Sequence, residues 1–215
     1  MNKKDLKAHI KGFCTPEEIK VMRDYFVASL AEGSYGVDDR QCLGCSCWYA
    51  PQFLGLSEPD PNEFFIERME EFTGLELLPS YSFARRYTPG DRLIWHTDRP
   101  ACEISLDVCV VAEGASYPLI VNQGGGDSSK TELEEVHLVP GDGLIYNGCD
   151  IGHGRKFMQH PQEVIYQLFV HYVDANGDHA DYAGEAIQSA QERLARGAEH
   201  VFTKGNHPPI FDNLS

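Results

Sequence analysis

The sequence lacks any apolar run near the roughly 20 residues that a membrane-spanning helix needs. No apolar stretch follows the basic start Met1-Asn2-Lys3-Lys4-Asp5-Leu6-Lys7, so neither a membrane anchor nor a secretory leader is expected, and a cytoplasmic location is. Basic residues are few: 18 Lys and Arg stand against 33 Asp and Glu, a formal net charge of -15. That balance argues against a broad basic face for duplex nucleic acid, whose binding rests on phosphate contacts. It serves solubility and leaves room only for a local basic pocket. A disulfide framework is missing as well, because seven cysteines are an odd number without framework spacing. Cys42-x-x-Cys45-x-Cys47 has no second Cys or His pair nearby to complete a structural zinc site. Buried free thiols in a reducing compartment are expected instead. Internal repeats are absent, and Gly124-Gly125-Gly126 is not followed by the Gly-Lys-Ser/Thr of a phosphate loop.

What is present is an ordinary globular composition, 42% hydrophobic and 24% charged over 215 residues, enough for one domain. Thr15-Pro16-Glu17-Glu18 opens a helix with a cap, a first-turn proline and acids at the positive end of the dipole. Ile19, Met22, Phe26 and Leu30 follow at helical spacing. A second helix is expected from Pro61 to Phe72, stopped by Gly74. From residue 79 the pattern turns to short strands, near 80–87, 92–96, 103–112, 117–121, 133–138, 143–147, 151–157 and 163–173. Pro89-Gly90 and Pro140-Gly141-Asp142-Gly143 punctuate them. Eight short strands so spaced suggest a barrel or a double-sheet jelly roll. A last helix is expected over about 183–198. The fold class is therefore mainly β with flanking helices (α+β), in a single domain. Residues 1–78 are helical and irregular support, 79–173 the jelly-roll core, and 174–215 a helix and tail.

The chemistry-bearing candidates are His96-Thr97-Asp98 and, further on, His153. Two imidazoles and one carboxylate that leave other positions open suit non-haem Fe(II) and oxygen chemistry. His-x-Asp alone carries little, since the chain holds a second copy, His179-Ala180-Asp181, in a polar stretch that reads as solvated surface. The first copy ends a strand, where alternation lets His96 and Asp98 share a side. His153 lies on a late strand, and early and late strands of a jelly roll can be neighbours.

At these residues the chain resembles the 2-oxoglutarate/Fe(II)-dependent oxygenase superfamily. The likeness is to its prolyl-hydroxylase-like branch, and within it to a group of small phage and marine bacterial oxygenases. The blocks that carry the resemblance are Ser80-Tyr81-Ser82-Phe83-Ala84-Arg85-Arg86-Tyr87 and His96 through Ser105. Two later blocks join them, Gly141-Asp142 through His153-Gly154-Arg155 and Gln167-Leu168-Phe169-Val170-His171-Tyr172. They span about residues 61–173. The resemblance implies a double-stranded β-helix (cupin-like) core and a metal triad of His96, Asp98 and His153. It also implies Fe(II), 2-oxoglutarate and O2, with ascorbate as an optional reductant. The implied reaction couples decarboxylation of 2-oxoglutarate to succinate with oxidation of a substrate C–H bond, and a carboxylate at Asp98 favours hydroxylation. Tyr87 matches a tyrosine that hydrogen-bonds the cosubstrate.

Two departures matter. Many members carry Lys or Arg about ten residues after the second histidine, to hold the distal carboxylate of 2-oxoglutarate. Here Glu163 stands there. Arg155, two residues past His153 on the same strand face, is the first substitute, because a guanidinium binds carboxylate bidentately. Arg85 is the second, and Gln167 is a further cosubstrate contact. Gly154 stands where the closer group has Trp, so the pocket wall is expected to differ. Arg85, Arg99 and His171 are candidates for the substrate or for supporting contacts. Glu103, Ser105 and Asp107 share a strand face that reads equally well as solvent-facing or as the site mouth. The substrate is a small molecule or a peptide or protein, read by rim loops at 33–61 and 122–131. The oligomeric state is open. The competing reading is a metal-binding cupin-like protein, a sensor or isomerase, without oxygenase activity.

Overall fold

The computed structural model describes residues 3–38, 41–42, 45–49, 56, 60–114, 117–123 and 132–184. Among them run β1 (Lys7–Ile10), α1 (Pro16–Glu32), β2 (Gly36–Asp38), β3 (Cys45–Tyr49), α2 (Pro61–Thr73), β4 (Leu77–Tyr87) and β5 (Leu93–His96). Then follow β6 (Ile104–Glu113), β7 (Leu119–Asn122), β8 (Leu133–Val136), β9 (Gly143–Asn147), β10 (His153–Arg155) and β11 (Val164–Asp174). All eight expected strands are present. The glycine run at 124–126 and nearly all of the expected helix at 183–198 lie outside the described residues.

The strands form two antiparallel sheets, one in the order β1-β9-β6-β11-β4-β3-β2 and one in the order β5-β10-β7-β8. Side-chain alternation sorts each central strand between two cores. On β6 and β11, Ile104, Leu106, Val108, Leu168, Val170 and Tyr172 pack with Met22 and Phe26 of α1 and Phe65 and Met69 of α2. The opposite faces of the large sheet, through Phe83, Tyr87, Tyr146 and Phe169, pack with Leu93, Leu119 and Val121 of the small sheet. The result is a double-sheet jelly roll with both helices on the outer face of the large sheet.

The helices are fixed by their ends. Thr15 and Glu18 form a reciprocal capping box on α1, and Glu18 also pairs with Arg68 of α2. Asp60 caps α2 by accepting from Asn62 N at 2.9 Å. Asn62 Nδ2 donates to the His171 carbonyl at 2.7 Å, which ties α2 to the middle of β11.

The assembled layers decide two local features. The turn at 88–91, closed by Asp91 accepting from Thr88 N at 2.7 Å, does not make a hairpin. It hands the chain from β4 in the large sheet to β5 in the small one. The polar face of β6 does not meet solvent either. Glu103, Ser105 and Asp107 are all buried, because the helices cover one side of this strand and the small sheet covers the other. Glu103 pairs with Lys3 at 2.8 Å and accepts from Asp174 N at 2.9 Å, away from the metal candidates.

Candidate metal centre

β5 and β10 are antiparallel neighbours in the small sheet, and His96 and His153 stand opposite each other on that ladder. Their ring centroids are 4.3 Å apart. Asp98 lies two residues past the end of β5, held by its N–H donating to the Gly148 carbonyl at 2.8 Å. Its Oδ1 is 3.4 Å from His96 Nε2 and 3.7 Å from His153 Nε2. One ligand atom from each of the three residues falls within 4.8 Å of the others.

Both rings are locked in the same way. His96 Nδ1 is 2.9 Å from the Ile94 carbonyl, and His153 Nδ1 is 3.0 Å from the Ile151 carbonyl. A carbonyl only accepts, so each Nδ1 carries a proton and each ring turns its Nε2 toward Asp98. Burial, aided by His96, pushes His153 down to about 4, so that ring is neutral at pH 7. Burial raises the Asp98 carboxyl, but His153 and His96 outweigh it and hold the group below the usual carboxylate range. Asp98 Oδ2 is buried and has no hydrogen-bond partner among the described residues. The other oxygen, Oδ1, faces both imidazole Nε2 atoms, so three donor atoms lie close together. The residues therefore fit a divalent ion, with a donor set of two imidazoles and a carboxylate that suits Fe(II).

Gly148 makes room for the carboxylate. A Cβ at this position would overlap Asp98 Oδ2 and the Cys102 carbonyl. Gly154 is likewise pressed on β5, where a Cβ would stand 3.0 Å from the Leu93 carbonyl oxygen. Gly154 does not line the cavity over the centre, whose wall is made by other residues. The second His-x-Asp copy behaves as surface: His179 is half-buried, Asp181 is exposed, and the pair has no third ligand among the described residues.

A narrow cavity of about 50 Å³ opens over the centre, lined by Tyr81, Phe83, Arg85, Tyr146, Phe169 and His171 besides the three ligands. Arg85 hydrogen-bonds Gln41 and lies over the ring of Phe83 at 4.7 Å. Arg155 sits deeper and does not line this cavity. It donates to the Tyr117 carbonyl and to Gln167 Oε1, with Tyr87 and Tyr117 rings 5.3 Å and 5.0 Å away. Gln167 Nε2 donates onward to Asp107 at 3.2 Å, and the Tyr146 hydroxyl lies 3.4 Å from the same carboxyl. Burial raises Asp107 to about 8 against the pull of Arg155. The Tyr87 hydroxyl and Arg155 Nε are buried with no hydrogen-bond partner among the described residues. Arg99 lies over the ring of Tyr81 at 4.7 Å. Glu163 faces elsewhere. It lines a larger groove with Tyr117, Ile120 and Met158, on the side of β7 opposite to the inward-facing Leu119 and Val121.

The structure thus gathers His96, Asp98 and His153, with Arg85 and His171 in the same cavity and Tyr87, Arg155 and Gln167 behind it. Sequence reasoning missed Gly148 as part of the site and left Ser105 and Asp107 open between solvent and the site mouth. Gly148 stood inside a family-like block with no role assigned. The other two stood on the β6 face whose exposure alternation alone leaves open.

No protein-family model and no curated protein matches the chain. Solved structures do match in fold. A prolyl-4-hydroxylase of Pseudomonas putida superposes with a TM-score of 0.55 at 16% identity, over 77% of this chain and 91% of that one. The non-heme alpha ketoglutarate dependent carbocyclase SnoK from nogalamycin biosynthesis gives 0.64 at 12%, over 90% and 87%. EctD from S. alaskensis, solved with 2-oxoglutarate and 5-hydroxyectoine, gives 0.58 at 13%, over 80% and 73%. At such identities the likeness establishes a shared fold.

Proposed function

We propose that the chain is an Fe(II)- and 2-oxoglutarate-dependent oxygenase that hydroxylates a C–H bond of a small-molecule or peptide substrate. One observation carries the reading: two Nε2 atoms and one carboxylate oxygen converge under a cavity with aromatic and cationic walls. Bound there, Fe(II) with 2-oxoglutarate supplies the oxidising power of O2 and leaves succinate and CO2.

The chain's own residues have four tasks. His96 and His153 hold the ion, and the Ile94 and Ile151 carbonyls keep their tautomers fixed. Asp98 would bind the ion as an anionic ligand, and a carboxylate at this position favours hydroxylation over halogenation. Arg85, in the cavity wall, holds the distal carboxylate of 2-oxoglutarate, helped by the Tyr87 hydroxyl. Arg155, whose two terminal nitrogens are engaged by Tyr117 and Gln167, adds positive potential from behind. Phe83 and Phe169 keep water off, while His171 and Arg99 stand on the substrate side.

The test is succinate formation by purified protein given Fe(II), O2 and 2-oxoglutarate. Slow turnover without substrate, abolished by His96→Ala, is expected. Tight metal binding with no succinate in any condition contradicts the oxygenase and favours a cupin-like metal-binding protein.

A further inference from the structure

We propose that Asp98, Cys102 and His171 form a second divalent-metal position, suited to a thiophilic ion such as Zn²⁺, that shares Asp98 with the first. The proposal needs the Asp98 geometry but not the oxygenase reaction.

A carboxylate oxygen of Asp98, Cys102 Sγ and a ring nitrogen of His171 lie within 4.8 Å of one another. Cys102 and His171 are buried, at 2% and 5% exposure. Asp98 presents Oδ1 to the two imidazoles of the first position. Its Oδ2 is the buried oxygen with no hydrogen-bond partner among the described residues. Both Oδ2 and the Cys102 carbonyl oxygen lie against Gly148, where a Cβ would overlap each, so Asp98 and the turn bearing Cys102 pack on the same glycine.

His171 is prepared as the first two imidazoles are. Ser105 Oγ has a single proton and donates it to the Cys102 carbonyl at 3.1 Å. The contact of 2.9 Å between Ser105 Oγ and His171 Nδ1 must then be donated by the ring. Nδ1 carries the proton and Nε2 is left with its lone pair. Ser105 also ties the turn bearing Cys102 to β11 bearing His171. Tyr81 OH, 2.9 Å from Cys102 Sγ, can donate to a thiolate and so steady it from behind.

One nitrogen, one oxygen and one sulfur ligand, with a water as fourth, match tetrahedral zinc and not a hard ion such as Mg²⁺. As the Zn–S bond forms, the Cys102 thiol proton is released to solvent. An ion so placed draws on the same carboxylate as the iron and stands in the cavity that His171 lines. Zinc therefore inhibits the first centre by occupying the second.

The experiment is an anaerobic Co²⁺ titration of the whole protein, followed by absorption, with peptide-mapped alkylation of thiols with and without Zn²⁺. Two equivalents are expected, one of them giving a thiolate-to-cobalt charge-transfer band. Cys102→Ser loses that band and one equivalent. Cys149→Ser and His96→Ala keep the band. Because Cys102 is only 2% exposed, alkylation is run in partially denaturing urea, where zinc slows modification of Cys102 in the wild-type protein, a readout that stands even if Cys102→Ser fails to fold. A single equivalent, absence of the band, a band retained in Cys102→Ser, or zinc protection confined to Cys42, Cys45 or Cys47 overturns the proposal.

Discussion

Gly148→Ala separates the metal account from a purely structural one. The added methyl would overlap Asp98 Oδ2 and the Cys102 carbonyl. Gly148 cannot step aside, because its N–H donates to the Glu103 carbonyl at 3.1 Å and its carbonyl accepts from Asp98 N at 2.8 Å. The carboxylate can swing away, since Oδ2 has no hydrogen bond to lose among the described residues. In the metal-free protein that swing relieves only the clash with Oδ2, worth about 2 kcal/mol of the overpacking cost, while the clash with the backbone carbonyl of Cys102 stays in both states. A bound ion demands Asp98 back in its place, so the full cost of about 3 kcal/mol falls on the loaded state. The difference, about 2 kcal/mol, corresponds to an affinity loss within the 10- to 100-fold range typical when a ligand's support is disturbed. Competition for Mn²⁺ or Co²⁺ against a chromophoric chelator measures the affinity, and urea unfolding without metal measures the fold. Affinity within about twofold of wild type, in a folded variant, refutes the assigned position of the carboxylate.

Other consequences concern single side chains. Arg85→Leu is expected to raise the KM for 2-oxoglutarate about 10- to 100-fold, the worth of a charged hydrogen bond; an unchanged KM removes Arg85 from that role. Arg155→Leu, which strips partners from buried Gln167 and the Tyr117 carbonyl, is expected to cost about 2–5 kcal/mol of stability in urea, and a smaller effect on folding than on KM would reverse the two arginines. Asp107 is raised to about 8 by burial, with Arg155 opposing. The folded chain therefore keeps a proton that the unfolded chain loses near 4, and stability falls as pH rises from about 4 to 8. Asp107→Asn removes that fall, so its stability relative to wild type should improve by a few kcal/mol, roughly, between pH 5 and 8; parallel pH profiles would contradict this. His179→Ala should change neither metal content nor turnover.

The strands from β4 to β11 were legible because turn residues punctuate them and their apolar positions alternate. The helix α1 was legible because Thr15-Pro16-Glu17-Glu18 writes its cap into the chain. β1, β2 and β3 were not, since they are three to five residues long and owe their state to pairing with β9 and β4. The triad was readable as a set of types, but the pairing of His96 with His153 is a contact between distant segments that no local pattern encodes. The β6 face was undecidable for a related reason. Alternation separates two faces, and only the assembled layers decide that neither is wet. The Glu163 departure also finds its place in space, because its strand approach opens onto the groove beyond β7 and not onto the metal side.

The most direct test is a crystal of the protein grown anaerobically with Fe(II) and 2-oxoglutarate, with anomalous scattering collected at the iron edge. The account predicts a peak bonded to His96 Nε2, His153 Nε2 and Asp98, with 2-oxoglutarate on the ion and its far carboxylate at Arg85. Iron bound elsewhere, or a filled triad with no 2-oxoglutarate beside it at saturating concentration, contradicts it.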